Sequence, residues 1–275
     1  MRKINYQLIV SDFDGTLVND DGTISERNKQ AIAEYIAAGG AFVISTGRMP
    51  DGILSRAKEL GLKGLVSCGQ GAIIADIESQ EFVFERKIPY ETTLAVVEEL
   101  EKMNLHIHIY DEWSYYSNMD DEALKFYEKA VRSKAKLSLD KPLSQFIREN
   151  QFASYKIVAM VLPEDNERVM QTLIDARIEG CTVTRSSEFM VEVLGTNWSK
   201  GTAVEFLAKH FGVELDKTIG IGDQLNDLPM IERAGLGIAV QNADIALKEK
   251  ANIVTPMTNE DGAIAWTIEQ FGFQK

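Results

Sequence analysis

Cysteine is scarce in this chain of 275 residues, and long apolar runs are missing altogether. The two cysteines, Cys68 and Cys181, lie far apart without metal-ligand spacing, so we expect free thiols in a reducing compartment. No apolar run is long enough to cross a bilayer, and the one near the N-terminus is too short for a signal peptide. Solenoid repeats and low-complexity tracts are lacking as well. These absences point away from disulfide-rich, membrane-spanning and repeat proteins and predict a cytoplasmic globular protein.

Positive charge is also in short supply, with 29 Lys and Arg against 42 Asp and Glu and a net charge of −13. A broad acidic surface repels nucleic acid and anionic membranes, so we expect neither as a partner. A phosphorylated ligand would therefore need a local positive site. The oligomeric state is left open between a monomer and a small homo-oligomer.

The pattern of apolar and polar residues predicts two different arrangements of strands and helices along the chain. Residues 1–86 and 194–275 follow a repeating strand–helix order, which predicts an α/β fold with a doubly wound, Rossmann-like parallel sheet. Predicted strands are 7–11, 41–45, 64–67, 218–221, 236–240 and 252–254, and predicted helices are 25–38, 51–60, 199–211, 225–234 and 260–271. A hairpin is expected within 71–85.

Residues 87–193 combine hairpins with paired helices, which predicts an inserted α+β unit with an antiparallel sheet. Its predicted strands are 106–110, 114–117, 155–161, 182–185 and 190–193, and its predicted helices are 91–103, 120–131, 143–149 and 164–177. Because the outer segments share one style and the inner segment has another, we expect two domains.

The most informative stretch is Asp12-Phe13-Asp14-Gly15-Thr16-Leu17, directly after a short apolar strand. In an extended chain Asp12 and Asp14 point to the same face. Two like charges so close favour a bound cation, and Mg²⁺ prefers oxygen ligands. A carboxylate neutralised in this way can act as a nucleophile. The alternative is an Asp-rich turn after a strand.

Two further pieces suit a phosphate group. Ser45-Thr46-Gly47-Arg48 ends the second predicted strand and offers a hydroxyl, an unobstructed amide and a guanidinium, although a capped turn would look similar. Lys200 begins a predicted helix, where its charge opposes the macrodipole, so an anionic partner is expected unless the side chain is simply exposed.

A fourth piece, Gly220-Ile221-Gly222-Asp223-Gln224-Leu225-Asn226-Asp227, links a strand to a helix. Asp223 could complete an octahedral oxygen site with Asp12 and the backbone carbonyl of Asp14. Asn226 could reach a phosphate, and Asp227 could orient a metal-bound water.

The order of these four pieces resembles the haloacid dehalogenase-like superfamily of phosphohydrolases, and the position of the insert resembles its Cof-like subgroup with a large α+β cap (subclass IIB). The resemblance implies that Asp12 attacks phosphorus and becomes an aspartyl phosphate, while Asp14 protonates the leaving oxygen and later activates water. The implied phosphate-binding residues are Phe13 through its amide, Thr46, Gly47, Lys200 and Asn226. The implied metal ligands are Asp12, Asp14, Asp223 and Asp227, with Mg²⁺ as cofactor, and Arg48 is expected to bind substrate.

The sequence departs from the subgroup's pattern in places that leave the nucleophile, metal and phosphate residues untouched. Gln70-Gly71-Ala72 stands where such chains usually have Asn-Gly-Ala, so leaving-group recognition could differ, and Gln241-Asn242-Ala243 replaces a frequent Gly-Asn-Ala. In the insert, His106 and His108 share a strand face, but no third ligand is evident and we interpret them as ordinary packing or surface residues.

The resulting hypothesis is a Mg²⁺-dependent phosphatase for small phosphomonoesters, either sugar phosphates or phosphorylated cofactors. A phosphomutase is one alternative, since it would move phosphate within a sugar. A receiver-like signalling module phosphorylated on Asp12 is the other. The expected partner is a small phosphorylated metabolite.

Overall fold

The computed structural model describes residues 2–274. Its strands are β1 (Leu8–Ser11), β2 (Ala41–Ser45), β3 (Leu65–Cys68), β4 (Ile73–Asp76), β5 (Phe82–Glu85), β6 (His106–Tyr110), β7 (Tyr115–Ser117), β8 (Ala135–Leu137), β9 (Ile157–Met160), β10 (Cys181–Ser187), β11 (Met190–Gly195), β12 (Thr218–Gly222), β13 (Leu236–Ala239) and β14 (Ile253–Val254). Its α-helices are α1 (Glu26–Ala37), α2 (Pro50–Glu59), α3 (Tyr90–Lys102), α4 (Glu122–Val131), α5 (Leu143–Asn150), α6 (Asn166–Asp175), α7 (Lys200–Phe211), α8 (Leu228–Arg233), α9 (Ile245–Lys250) and α10 (Ala263–Thr267).

The larger sheet has eight strands in the order β14-β13-β12-β1-β2-β3-β4-β5. Its strands are parallel from β14 to β3, and the β4–β5 hairpin adds an antiparallel edge. Alternate residues of β1 enter two separate apolar clusters, Ile9 on one face and Leu8 and Val10 on the other. The sheet is therefore covered on both faces, which confirms the doubly wound α/β prediction.

The smaller sheet has six strands in the order β10-β11-β9-β6-β7-β8, all from the inserted segment. Every neighbouring pair is antiparallel except β7–β8, which is parallel. The expectation of a wholly antiparallel sheet is thus wrong at one edge, because β8 was not foreseen. Its three residues, Ala-Lys-Leu, are mostly exposed and too few to show an alternating pattern.

The C-terminal third also differs in detail from the expectation. The helix predicted at 225–234 opens with a 3₁₀ turn, Leu225–Asp227, and α8 follows with Pro229 in its first turn. Helix α9 was missed because it has only six residues, with Asp244 as its cap. The helix predicted at 260–271 starts later, after Gly262 with its positive φ, and ends in a wider turn, Ile268–Gly272.

The chain leaves the larger sheet after β5 and re-enters it at β12, so the smaller sheet is an insertion in the core. The residue limits 87–193 for the inserted domain stay a prediction. Across residues 2–274, no helix has both the length and the apolarity that crossing a membrane requires.

Candidate active site

Asp12 follows β1 and lies at the carboxyl end of the larger sheet, between β2 and β12. Its backbone N–H donates to the Ile221 carbonyl at 2.8 Å, which ties it to β12. The chain then turns at Gly15, whose φ of +75° favours glycine. A Cβ there would lie 2.6 Å from Asp223 Oδ2, so only glycine lets the two loops approach.

Three buried carboxylates meet at this point. Oxygens of Asp12, Asp223 and Asp227 all lie within 4.8 Å of one another. Thr16 Oγ1 donates to Asp223 Oδ1 at 2.8 Å. Asp227 Oδ2 accepts the backbone N–H groups of Asp223 at 2.9 Å and Gln224 at 3.1 Å, which fixes the loop after β12.

Lys200 is the cation of this cluster. Its side chain is fully buried, and Nζ donates to Asp12 Oδ1 and, at 2.6 Å, to Asp227 Oδ1. Ser199 caps α7 and accepts from the Gly201 N–H at 3.1 Å, which fixes the start of the helix at Lys200. The anionic partners that the helix-start position of Lys200 predicted are therefore carboxylates of the protein itself.

Burial and mutual repulsion disfavour the charged forms of the acids. Burial, followed by the charge of Asp227, raises the pKa of Asp12 well above its usual value despite Lys200. The same two causes raise the pKa of Asp223 to about 6. Burial alone would lower the pKa of Lys200, but the charges of Asp12 and Asp227 outweigh it and raise that pKa.

These residues fit a divalent cation. Three carboxylates surround one ammonium group, so the cluster has surplus negative charge, and its donors are the hard oxygens that such ions prefer. The carboxylate of Asp14 is not part of this cluster. The contribution expected from its backbone carbonyl stays a prediction.

Asp14 instead pairs with Arg48 from the turn after β2. Arg48 Nε donates to Asp14 Oδ2 at 2.8 Å, and Nη2 donates to Oδ1 at 2.9 Å. The guanidinium also lies over the buried ring of Phe13, 5.8 Å from its centroid. The half-exposed carboxylate is therefore held in one orientation at the mouth of the site.

Thr46 and Gly47 lie beside this pair. Thr46 is buried, and its hydroxyl accepts the Arg48 backbone N–H at 3.1 Å. Gly47 has no room for a side chain, because a Cβ would lie 2.6 Å from Gln70 Nε2. Asn226 reaches the same place from β12, and its Nδ2 donates to Gln70 Oε1 at 3.1 Å.

A cleft of about 950 Å³ joins these residues to the inserted sheet. Six of the predicted site residues line it: Asp12, Asp14, Thr46, Gly47, Arg48 and Asn226. The other four, all of them buried, are Phe13, Lys200, Asp223 and Asp227. The structure thus brings together every predicted site residue, although their chemical roles stay predictions.

The insert supplies the opposite wall, and that wall is mostly apolar. It includes the exposed side chains of Phe126, Leu162 and Phe189, which are 74%, 60% and 50% exposed. Large apolar side chains left in solvent beside polar residues are typical of a ligand-binding surface.

Two charged residues in this wall were missed. Lys156 and Glu192 are only 3% and 2% exposed and pair at 3.3 Å, and Lys156 Nζ also donates to the Gly47 carbonyl at 2.8 Å. Burial alone would lower the pKa of Lys156, but the charge of Glu192 outweighs it. The sequence did contain a sign of this pair, because each residue is a single charge within an otherwise apolar strand pattern. Lys and Glu are rarely buried without a partner, so two such charges indicate a buried pair.

A doubly wound core with buried acids at its strand ends, roofed by an inserted sheet, defines a capped α/β enzyme. A model of haloacid dehalogenase-like hydrolases matches residues 9–268. The chain therefore belongs to the haloacid dehalogenase-like hydrolase family, and the resemblance noted in the sequence is confirmed.

Relatives and solved structures agree with this assignment. A Haemophilus influenzae protein provisionally named a phosphatase is 32% identical over 270 residues, which cover 97% of this chain and 98% of that protein. A 5-amino-6-(5-phospho-D-ribitylamino)uracil phosphatase of Bacillus subtilis is 27% identical, over 95% of this chain and 96% of its own length. The structure of a haloacid dehalogenase-like hydrolase from B. subtilis has a TM-score of 0.85 and 26% identity, covering 96% of this chain and 99% of that one.

The cap type is also shared. The structure of a subclass IIB sugar phosphatase is 21% identical and has a TM-score of 0.82, over 97% of this chain and 99% of that one. At this identity the likeness concerns the fold. It agrees with the Cof-like assignment and its α+β cap.

Proposed function

We propose that this protein is a Mg²⁺-dependent phosphatase that hydrolyses small phosphomonoesters through an aspartyl phosphate on Asp12. The observation that carries the proposal is the position of Asp12, which lines the cleft while contacting Lys200 and lying within 4.8 Å of Asp223 and Asp227. The phosphatase names of the relatives support the same reaction class.

Asp12, Asp223, the Asp14 carbonyl and, through water, Asp227 would hold the ion. A bound Mg²⁺ would supply charge neutralisation for the phosphoryl oxygens and for the carboxylate that attacks them.

In the first step an Asp12 oxygen forms a bond to phosphorus as the ester P–O bond breaks. Asp14, which must be protonated at this step, gives its proton to the leaving oxygen. In the second step water attacks phosphorus, its proton passes to Asp14, and the Asp12–phosphorus bond breaks. Arg48 holds Asp14 at the cleft mouth, where both proton transfers would occur.

The phosphate group would be bound by several donors around Asp12. These are the Phe13 amide, the Thr46 hydroxyl, the Gly47 amide, the Lys200 ammonium and the Asn226 amide. Positioning and charge stabilisation of this kind supply most of the catalysis in phosphoryl transfer.

The substrate is small and soluble in this proposal, because the cap roofs the cleft. Sugar phosphates and phosphorylated cofactors both remain candidates. The cleft does not favour a phosphomutase, which must hold a second phosphate. The cations among its described lining residues are Arg48 and Lys156, and each is paired with a carboxylate. A receiver-like module needs no roofed cleft, so the cleft does not favour that alternative either.

The test is a panel of phosphorylated metabolites assayed for phosphate release with Mg²⁺ and with chelator. We expect release that needs Mg²⁺ and is lost by at least about 1,000-fold in Asp12→Asn, while Asp140→Asn, an exposed cap aspartate, retains it. Acid-quenched protein should contain a phosphorylated peptide that includes Asp12. No release from any ester, or full activity in Asp12→Asn, would refute the proposal.

A further inference from the structure

Four side chains form a continuous polar chain from the cap to the core. Lys156 Nζ pairs with Glu192 Oε1 at 3.3 Å, and Gln70 Nε2 donates to Glu192 Oε2 at 2.6 Å. Gln70 Oε1 then accepts from Asn226 Nδ2 at 3.1 Å. The chain therefore joins a buried ion pair of the cap to a candidate phosphate-binding amide of the core.

Gln70 is held firmly in the middle of this chain. Its backbone lies in the left-handed region, with φ of 62° and ψ of 28°, and its side chain is 1% exposed. Asparagine tolerates that conformation better than glutamine does. The backbone conformation therefore does not explain why glutamine is present here. Its side-chain contacts do, because the shorter side chain of asparagine could not make them.

The polar chain formed by these four side chains has a direction, because some of the groups can donate hydrogen bonds and others can only accept them. A carboxylate paired with an ammonium group accepts hydrogen bonds and has none to give. Glu192 therefore requires the NH₂ end of the Gln70 amide, which turns the Gln70 oxygen toward Asn226. That oxygen in turn requires the NH₂ end of Asn226, and a flipped Asn226 would set two acceptors against each other.

The orientation of Asn226 matters for a phosphate ligand. One N–H of its NH₂ group donates to Gln70, and the second stays free, since Asn226 lines the cleft. Its Oδ1 atom has no hydrogen-bond partner among the described residues. If the amide were free to flip, this oxygen could face the phosphate oxygens and repel them.

We infer that Gln70 is a positioning residue that transmits the orientation set by Glu192 of the cap to Asn226 of the phosphate site. The inference rests on the proposed function only in treating Asn226 as a phosphate ligand. It follows that phosphate binding is strongest with the cap docked, because Glu192 reaches Gln70 only there.

The test compares inorganic phosphate binding, measured by calorimetry with Mg²⁺ present, in wild type, Glu192→Gln, Gln70→Glu and the double variant. In Glu192→Gln the ammonium of Lys156 takes the oxygen of the new amide, so its NH₂ end faces Gln70, the orientation of Gln70 and Asn226 is no longer set correctly, and phosphate should bind about fivefold more weakly. In Gln70→Glu two carboxylates face each other, and the loss should exceed about tenfold.

The double variant separates this role from general damage. Gln at position 192 would donate to Glu at position 70, which still accepts from Asn226, so the hydrogen bond between positions 70 and 192 is reversed, the two facing carboxylates are gone, and Asn226 keeps its orientation at unchanged net charge. We expect the double variant to bind phosphate more tightly than Gln70→Glu, by about threefold or more. Arg185→Gln is the matched control, because it removes a different cap–core pair, with Asp244 at 3.5 Å, and should leave phosphate affinity unchanged.

Two outcomes would overturn the inference: wild-type phosphate affinity in both single variants, or a loss of affinity in the double variant that equals the two single losses combined. If Glu192→Gln does not fold, Gln70→Asn carries the test, since it keeps the buried ion pair but is too short to join Glu192 to Asn226. The readout needs no turnover, so a failure to hydrolyse esters would count against the proposed function alone. In an active enzyme, KM should rise for two esters with different leaving groups by the same factor as the phosphate dissociation constant.

Discussion

Arg48 holds Asp14 by two parallel hydrogen bonds of 2.8 and 2.9 Å, so two residues predicted for different roles form one unit. Side-by-side N–H donors match the two oxygens of a carboxylate and fix its plane. Whatever proton transfer Asp14 performs, its position is set by the turn after the neighbouring strand.

Arg48→Lys should therefore impair the chemical step. Lysine keeps the charge but loses the planar pair of donors, so Asp14 would sample several orientations. We expect kcat to fall about tenfold with a smaller change in KM, measured by steady-state phosphate release. Arg56→Lys is the control in α2, the helix that follows Arg48, because Arg56 pairs with Glu59 away from the cleft. Equal kcat values in Arg48→Lys and wild type would contradict this role.

Metal binding should weaken in acid. In the metal-free protein burial and the charge of Asp227 raise the pKa of Asp223 to about 6, and a cation binds the deprotonated form. Below pH 6 a proton competes with the ion, so the dissociation constant for Mg²⁺ should rise by up to about tenfold per pH unit. Calorimetric titrations at pH 5, 6 and 7.5 measure this.

Thr16→Val sharpens the same experiment. The Thr16 hydroxyl donates to Asp223 and lowers its pKa, so removing it should move the midpoint of the affinity loss to higher pH. An affinity that stays constant from pH 5 to 7.5 in both proteins would rule out Asp223 as a ligand that titrates in this range.

The apolar wall of the cleft should bind the leaving group. Phe126→Ala and Phe189→Ala remove large exposed rings beside the site, and we expect each to raise KM about tenfold for esters with bulky leaving groups. Inhibition by inorganic phosphate should not change. Phe211→Ala is the matched control, since Phe211 is 41% exposed at the end of α7 and does not line the cleft. Unchanged KM values would exclude a role for both rings.

His108 should make the cap less stable in acid. Burial, together with the charges of His106 and Lys156, lowers its pKa well below 6.5. Below pH 6.5 His108 is protonated in the unfolded chain but stays neutral in the folded protein. The free energy of unfolding therefore falls as pH drops. The slope contributed by one such group approaches about 1.4 kcal/mol per pH unit.

Urea unfolding from pH 7.5 to 5 checks this by difference. His108→Phe should lose stability less steeply than wild type on acidification, because other titrating groups, including His106, remain in both proteins. His210→Asn replaces an exposed histidine and should keep the wild-type slope. Parallel curves for wild type and His108→Phe would show that His108 does not resist protonation.

The outer parts of the fold were predictable because parallel strands buried on both faces appear as short apolar runs. Strand β2 was predicted with its observed bounds, Ala41–Ser45, and the other parallel strands within one residue at each end, while β4 and β5 were predicted only as a hairpin. Strand β8 and helix α9 were not, since three and six residues carry too little pattern. His106 and His108 pack in the cap as interpreted, with their Nε2 atoms 3.0 Å apart.

The site was predictable to the extent that its residues follow strands or begin helices. Parallel strands bring their carboxyl ends to one edge, so Asp12, Thr46 and Asp223 could be grouped from order alone. Lys156 and Glu192 could not, because their meeting depends on the pairing of β9 with β11, in which Glu192 lies opposite Val158. The contact of Gln70 with both Glu192 and Asn226 likewise depends on how the cap docks.

Strand β1, which leads directly into Asp12, pairs with two strands that lie far apart in the sequence. Leu8 of β1 pairs with Ala41 of β2 on one side and with Thr218 of β12 on the other. During translation β1 and β2 can pair early, whereas the other flank of β1 waits until the whole cap has emerged from the ribosome. A nascent or truncated chain that lacks β12 also lacks Asp223 and Asp227, so the acidic cluster assembles only late in synthesis.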